Sequence, residues 1–120
     1  MNQVILRGRM TADVETHLGK DGKIGVALFT LAVPDRSMPK DKDGQFPVDF
    51  IRNCTFGVNA EVLKKYALKG TELLVFGRFK TGSYEKDGVK HFSSEVLVDK
   101  FEFISGTKGE KKTQEEKKAS

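Results

Sequence analysis

Apolar and polar positions alternate with a period of two through most of the first hundred residues, the pattern of strands that bury one face. Six runs carry it, over residues 3–9, 14–18, 24–34, 49–58, 72–80 and 92–104. In the third run Val26, Leu28 and Thr30 lie on one side and Phe29, Leu31 and Val33 on the other, so that strand is apolar on both sides. Such a strand suits a closed barrel that also covers part of its outside, often against another subunit. Asp-Gly dipeptides at 21–22, 43–44 and 87–88 separate apolar runs. Because both residues tolerate positive φ, three type I′ hairpin connections are expected.

One segment breaks the alternation. Asn59 is placed to cap a helix over residues 60–69, and Gly70 to close it in the left-handed conformation. Leu63, Tyr66 and Ala67 then form its inward stripe, while Glu61, Lys64 and Lys65 stay wet. Five strands, with the helix between the third and fourth long ones, predict an all-β fold. The expected architecture is a five-stranded Greek-key barrel of the oligonucleotide-binding (OB) type with one short helix. The connection over 35–47 is long, polar and charged, and residues 82–90 read as a projecting hairpin with Tyr84 near its base. After Ile104 the composition turns to Gly, Lys, Glu, Thr and Ser without an apolar anchor. The expected division is therefore a domain over 1–104 and a disordered Lys/Glu-rich tail over 105–120.

The 120 residues suffice for one domain with a modest core. No stretch resembles a signal peptide or approaches the ~20 apolar residues of a membrane span, so the chain is read as soluble and cytoplasmic. Cys54 is the only cysteine, which excludes an internal disulfide and fits a reducing compartment. The net charge of +4 divides equally: residues 105–120 hold five lysines and three glutamates, leaving the body at +2. A long-range field of that size is weak for a nucleic-acid binder, so any such affinity must come from a local basic stripe and from stacking.

The run Asp49-Phe-Ile-Arg-Asn-Cys-Thr-Phe56 supplies that chemistry. On a strand, Phe50, Arg52, Cys54 and Phe56 share one side, so two aromatic rings and a guanidinium lie on a flat surface. Rings offer π-faces to unpaired bases, and the cation neutralises phosphate between them. The run alone leaves open a core role for both rings, with Arg52 solvated at an edge. Elsewhere the chemistry is thin. His17 and His91 lack metal-ligand spacing, Gly19-Lys20 and Gly22-Lys23 lack the Ser/Thr of a phosphate loop, and Glu115-Glu116 lie in the tail. No catalytic constellation, metal site or cofactor is expected. Cys54 reads as an inert packed thiol.

Several ordered blocks resemble the bacterial and phage single-stranded DNA-binding proteins over residues 1–104. They are the opening Asn2-Gln-Val-Ile-Leu-Arg-Gly-Arg-Met-Thr-Ala-Asp13, Phe29-Thr-Leu-Ala-Val33, and Asn59-Ala-Glu-Val-Leu-Lys-Lys-Tyr-Ala-Leu-Lys-Gly70. Leu74-Val-Phe-Gly-Arg-Phe-Lys-Thr-Gly-Ser-Tyr84 and Phe92-Ser-Ser-Glu-Val-Leu-Val98 complete the set. The resemblance implies stacking aromatics at Phe50, Phe56 and Tyr84, a basic residue between the first two at Arg52, and phosphate contacts at Lys69 and Lys80. Arg7, Arg9 and Arg78 can follow a nucleic-acid backbone or be solvated strand-end charges. It also implies a homo-oligomer, a tetramer of paired barrels or a dimer, with replication and recombination proteins as further partners.

Departures from the family accompany it. The hairpin's usual basic pair reads Gly82-Ser83, the long loop reads Arg36-Ser-Met-Pro39 where an aromatic is common, and Asn53 replaces an inward apolar residue. The end reads Glu115-Glu-Lys-Lys-Ala-Ser120, where cellular members carry an acidic tip with a terminal phenylalanine; the expectation is a phage-type member acting in an infected host's cytoplasm or a bacterial cell. The function expected is non-enzymatic, sequence-nonspecific coating and protection of single-stranded DNA in replication, recombination and repair. The rivals are an RNA-binding or translation-related OB module, a nuclease on the same barrel, and a protein-interaction module using the outer face of residues 24–34.

Overall fold

Among the residues that the computed structural model describes, 1–106, six strands and one helix form. They are β1 (Val4–Met10), β2 (Glu15–Leu18), β3 (Ile24–Pro34), β4 (Val48–Phe56), α1 (Val58–Tyr66), β5 (Glu72–Lys86) and β6 (Val89–Ser105). The strands are ordered β1-β5-β6-β4-β3-β2, and β1 also pairs with β3 through Arg9↔Ala32 and Met10↔Leu31. That last pairing closes β1, β5, β6, β4 and β3 into a circuit and leaves β2 beside the first half of β3. The result is the five-stranded OB-type barrel with one short helix. Only β4 and β6 pair in parallel, because the chain passes through α1 and β5 before β6 returns beside β4.

The alternation read from the sequence sets the core. Ala27, Phe29 and Leu31 on β3, Leu73 and Val75 on β5, and Val96 and Val98 on β6 are buried, with Met10 and Val14 beside them. α1 adds Ala60 and Leu63, and Ala67 follows it. Each fully buried Leu or Val contributes about 1.5–3 kcal/mol, so this interior supplies the main stabilising term. Tyr66 is not enclosed; its ring meets Phe103 edge-on at 6.3 Å and stays 38% exposed.

Local chemistry corrects several expectations. Asn59 does not cap the helix, which begins one residue earlier with Gly57 at its N-cap and no side-chain cap. Instead Asn59 Nδ2 donates to the Asp99 carbonyl at 3.1 Å and fastens α1 to β6. The helix stops at Tyr66, because Thr71 Oγ1 accepts the Leu68 N–H at 2.9 Å and draws it away from the helical ladder. Gly70, at φ 88, belongs to the turn in which Thr71 N donates to Leu68 O.

All three Asp-Gly pairs join antiparallel strands, but only Asp87-Gly88 has both φ positive, at 53 and 76. At the other two only the glycine is left-handed. There the aspartates 21 and 41 spend their carboxylates on nearby backbone N–H groups, of Lys23 and of Asp43 and Gln45. Residues 82–90 form the expected hairpin, with β5 and β6 paired out to Lys86↔Val89, but Tyr84, opposite His91, sits near its tip rather than its base. Of the expected tail, Ser105 ends β6 and the Gly106 carbonyl accepts from Thr71 Oγ1 at 2.8 Å, whereas 107–120 lie outside the described residues.

Barrel curvature concentrates at a register shift between Phe76 and Gly77, where β5 bends across β6. A Cβ built on Gly77 would lie 2.2 Å from the Leu97 carbonyl oxygen and 3.0 Å from its carbon. Backbone cannot yield there. Gly77→Ala is therefore expected to destabilise the fold by about 3 kcal/mol in urea unfolding, while Gly82→Ala, whose Cβ meets only the Ser93 hydroxyl, stays within about 1 kcal/mol of the parent. Equal midpoints for the two variants would contradict this account of the bend.

Candidate nucleic-acid interface

β4 pairs with β3 along its whole length and with β6 at Asn53 and Cys54, and the pleat sends its alternate side chains to opposite faces. Asn53 and Thr55 are buried and Ile51 half-buried toward the barrel, which sends Phe50, Arg52, Cys54 and Phe56 outward. Phe50 is 68% exposed and Phe56 58%, so the open reading of these rings as core residues is removed. Cys54 is the covered member of this row, as expected of a packed thiol. It is buried, and its thiol is pushed up to about 11 by burial and then by the Glu95 carboxylate beside it. A thiol held protonated in this way is a poor nucleophile.

Cross-strand register extends the surface. On β3, Val26 and Thr30 lie opposite Phe56 and Arg52. On the other flank Cys54 pairs with Leu97, and Leu97, Glu95, Ser93 and His91 pair in turn with Arg78, Lys80, Gly82 and Tyr84. By the period of two, Arg78, Lys80 and Tyr84 share the outer side with Phe50, Arg52 and Phe56. Tyr84 is 56% exposed. Six of the nine expected positions thus fall on one continuous face.

The cations are unevenly engaged. Arg52 Nη2 donates to the Ser94 carbonyl at 3.4 Å, and its side chain borders a shallow pocket shared with Glu15, Thr30 and Glu95. Arg78 approaches Asp99 at 3.9 Å, and Lys80 has no ion-pair partner among the described residues. Lys69 sits on the loop after α1, where its backbone N–H donates to Asp13 Oδ1 at 2.7 Å while the side chain stays exposed. Asp13 in turn borders the pocket of Arg52.

Arg7 and Arg9 are not gathered with the rings. Both reach Glu72, at 3.0 and 3.7 Å, and Arg9 also donates to the Gly70 carbonyl. The hydrogen bond from Arg7 holds the Glu72 carboxyl below its ordinary range, so the carboxylate is charged and partly cancels both guanidiniums. They border a separate hollow with Ala32, Pro34, Arg36 and Val48, joined to the aromatic face by the row Arg9–Ala32–Phe50 and by Val48 on the same side of β4.

Two rings were not anticipated. His91 stacks on Tyr84 with centroids 5.2 Å apart and planes 17° from parallel, and Phe92 is 78% exposed. The signal for both was the hairpin register, which alternation alone does not fix. Phe76 is half-buried under the Lys100 ammonium at 4.8 Å, and Phe79 is 47% exposed. Lys40 leans over Phe46 at 5.0 Å within the long loop. No group of three or more His, Cys, Asp or Glu able to hold a metal occurs among the described residues, and no helix among them is long and apolar enough to cross a membrane.

The arrangement can hold flat rings against an unpaired strand and offset its charge locally. Comparison with known proteins is consistent in direction. The model of the single-strand binding protein family matches residues 1–104. The single-stranded DNA-binding protein of Clostridium perfringens is 40% identical over 110 residues, covering 91% of this chain and 69% of that protein. That of Fusobacterium nucleatum is 39% identical over 115 residues (94% and 70%), and that of Staphylococcus epidermidis 30% over 105 residues (88% and 77%).

The covered thiol gives a direct check on the geometry. At pH 8 the folded chain is expected to react with a thiol-alkylating reagent far more slowly than the unfolded chain. Because the folded pKa of about 11 lies above the free value of 9.0, the stability linked to this group is intact below pH 9 and is lost as pH rises through about 11. Alkylation at the unfolded rate would show that Cys54 is open to solvent.

Proposed function

The chain belongs to the single-strand binding protein family, and on that premise we propose that it binds single-stranded DNA with little sequence preference. The observation that carries the reading is the set of solvent-exposed rings Phe50, Phe56 and Tyr84 with Arg52, Arg78 and Lys80 on the same side of the barrel. Every base has a π-face, so stacking on these rings tolerates any sequence. Arg52, Arg78, Lys80 and Lys69 neutralise the phosphates between stacked bases, and Arg9 with Arg7 extends the path past Phe50. A duplex is discriminated against because its bases already stack on one another and cannot reach the rings.

The finer reading follows from the family. The protein coats and protects exposed strands in replication, recombination and repair, as a homo-oligomer (tetramer or dimer) in the cytoplasm, and performs no chemistry. Residues 1–104 are the binding domain. The expectation of a phage-type member rests on residues 115–120, outside the described residues; the relatives named above are bacterial.

Phe56→Ala and Tyr84→Ala are each expected to weaken binding of a labelled oligothymidylate by ~1–3 kcal/mol. Arg52→Ala should reduce the slope of log affinity against log salt by about 0.7. Unchanged affinity in both ring variants would place the site elsewhere, and a ribo-oligonucleotide binding more tightly than its deoxy counterpart would move the reading to RNA.

A further inference from the structure

The β5–β6 hairpin carries an aromatic ring on each of its sides. Phe92 lies opposite Ser83, adjacent to the Tyr84–His91 pair, so it projects from the reverse side of the ribbon. Its ring, 78% exposed, is the most open aromatic among the described residues. The Lys90 ammonium stands 5.5 Å from the ring centroid. The surroundings are small and mostly hydroxylated: Thr81, Gly82, Ser83, Ser93 and Ser94 border a shallow hollow against it.

This chemistry separates the candidate occupants. A partner protein or a second copy would bury an exposed ring among further apolar groups, which this hollow lacks. A single π-face with a cation beside it and hydroxyls around it matches one nucleotide, its base on the ring and its phosphate at the ammonium. On the side of Phe92 the ribbon carries Lys90, with Glu85 opposite it, whereas Lys80 and Lys86 project to the side of Tyr84.

We infer that Phe92 and Lys90 form a second nucleotide platform on the reverse side of the hairpin, so that a strand leaving Tyr84 crosses the ribbon and stacks a further base on Phe92. The inference rests on the single-strand binding reading above. It makes the hairpin a two-sided clamp rather than one wall of a groove.

The test uses the full chain and two end-labelled oligothymidylates, one of about 8 nucleotides, within the ~4–16 that one OB barrel occupies, and one of about 30. Phe92→Ala is expected to weaken the longer strand about ten-fold and the shorter less than about two-fold. Phe92→Tyr should restore the longer strand's affinity and Phe92→Leu should not. Unchanged affinity for the longer strand, equal loss at both lengths, or full recovery with leucine would overturn the inference. So would a change in solution mass of Phe92→Ala by light scattering, which would make the ring a subunit contact. Phe56→Ala should weaken both lengths. If it weakens neither, the general reading fails whatever Phe92 does.

Discussion

The position of β4 between β3 and β6 is the constraint from which the binding face follows. β3 pairs with it throughout and β6 at Asn53 and Cys54, and the pleat then divides its side chains between the barrel and the outer face. Whatever does not face the barrel must face outward. Asn53 and Thr55 take the interior, so Phe50, Arg52 and Phe56 meet solvent. Leaving two phenylalanines open forgoes about 1.5–3 kcal/mol of burial for each. A fold optimised only for its own stability has no use for that arrangement, and a contiguous exposed aromatic surface signals a partner.

Electrostatics refines the picture more than it drives it. The body of the chain is only +2, Glu72 restrains Arg7 and Arg9, and Glu95 stands across from Lys80 within the face itself. On the reading proposed above, attraction to phosphate is local and modest, and the rings supply a large share of the affinity. Burial, reinforced by the Glu95 carboxylate beside it, keeps the Cys54 thiol protonated, so the centre of the face is chemically quiet. Support for the face comes from the interior: Thr55 donates to the Val98 carbonyl at 3.1 Å and ties β4 to β6 directly beneath it.

The strands were legible because each keeps one apolar side, and the β4 rings because Phe50 and Phe56 fall on the opposite parity to Ile51 and Thr55. The extent of β5 and β6 was not legible. Residues 80–91 bury nothing, so no hydrophobic pattern marks them as strand; they are held by ladder hydrogen bonds and a tip turn with both φ positive. Hence Tyr84 lies farther out than expected, and His91 and Phe92 were not seen as its neighbours. Asn59 misled because a side chain fit to cap a helix was used instead to reach Asp99, 40 residues away. Asn53 remains the exception to satisfied burial: Nδ2 donates to Ile51 O, while Oδ1 finds no donor among the described residues.

Stacking of bases on the outward rings is the claim on which the account turns, and the chain carries its own probe for it. It has two tyrosines and no tryptophan, so Tyr66→Phe leaves Tyr84 as the sole strong emitter. Titration of that variant with single-stranded DNA is expected to quench its emission to a sharp saturation point, and duplex DNA at the same nucleotide concentration is expected to leave it unchanged. Emission that stays constant while a labelled single strand is visibly bound would mean that the bases do not stack on this face.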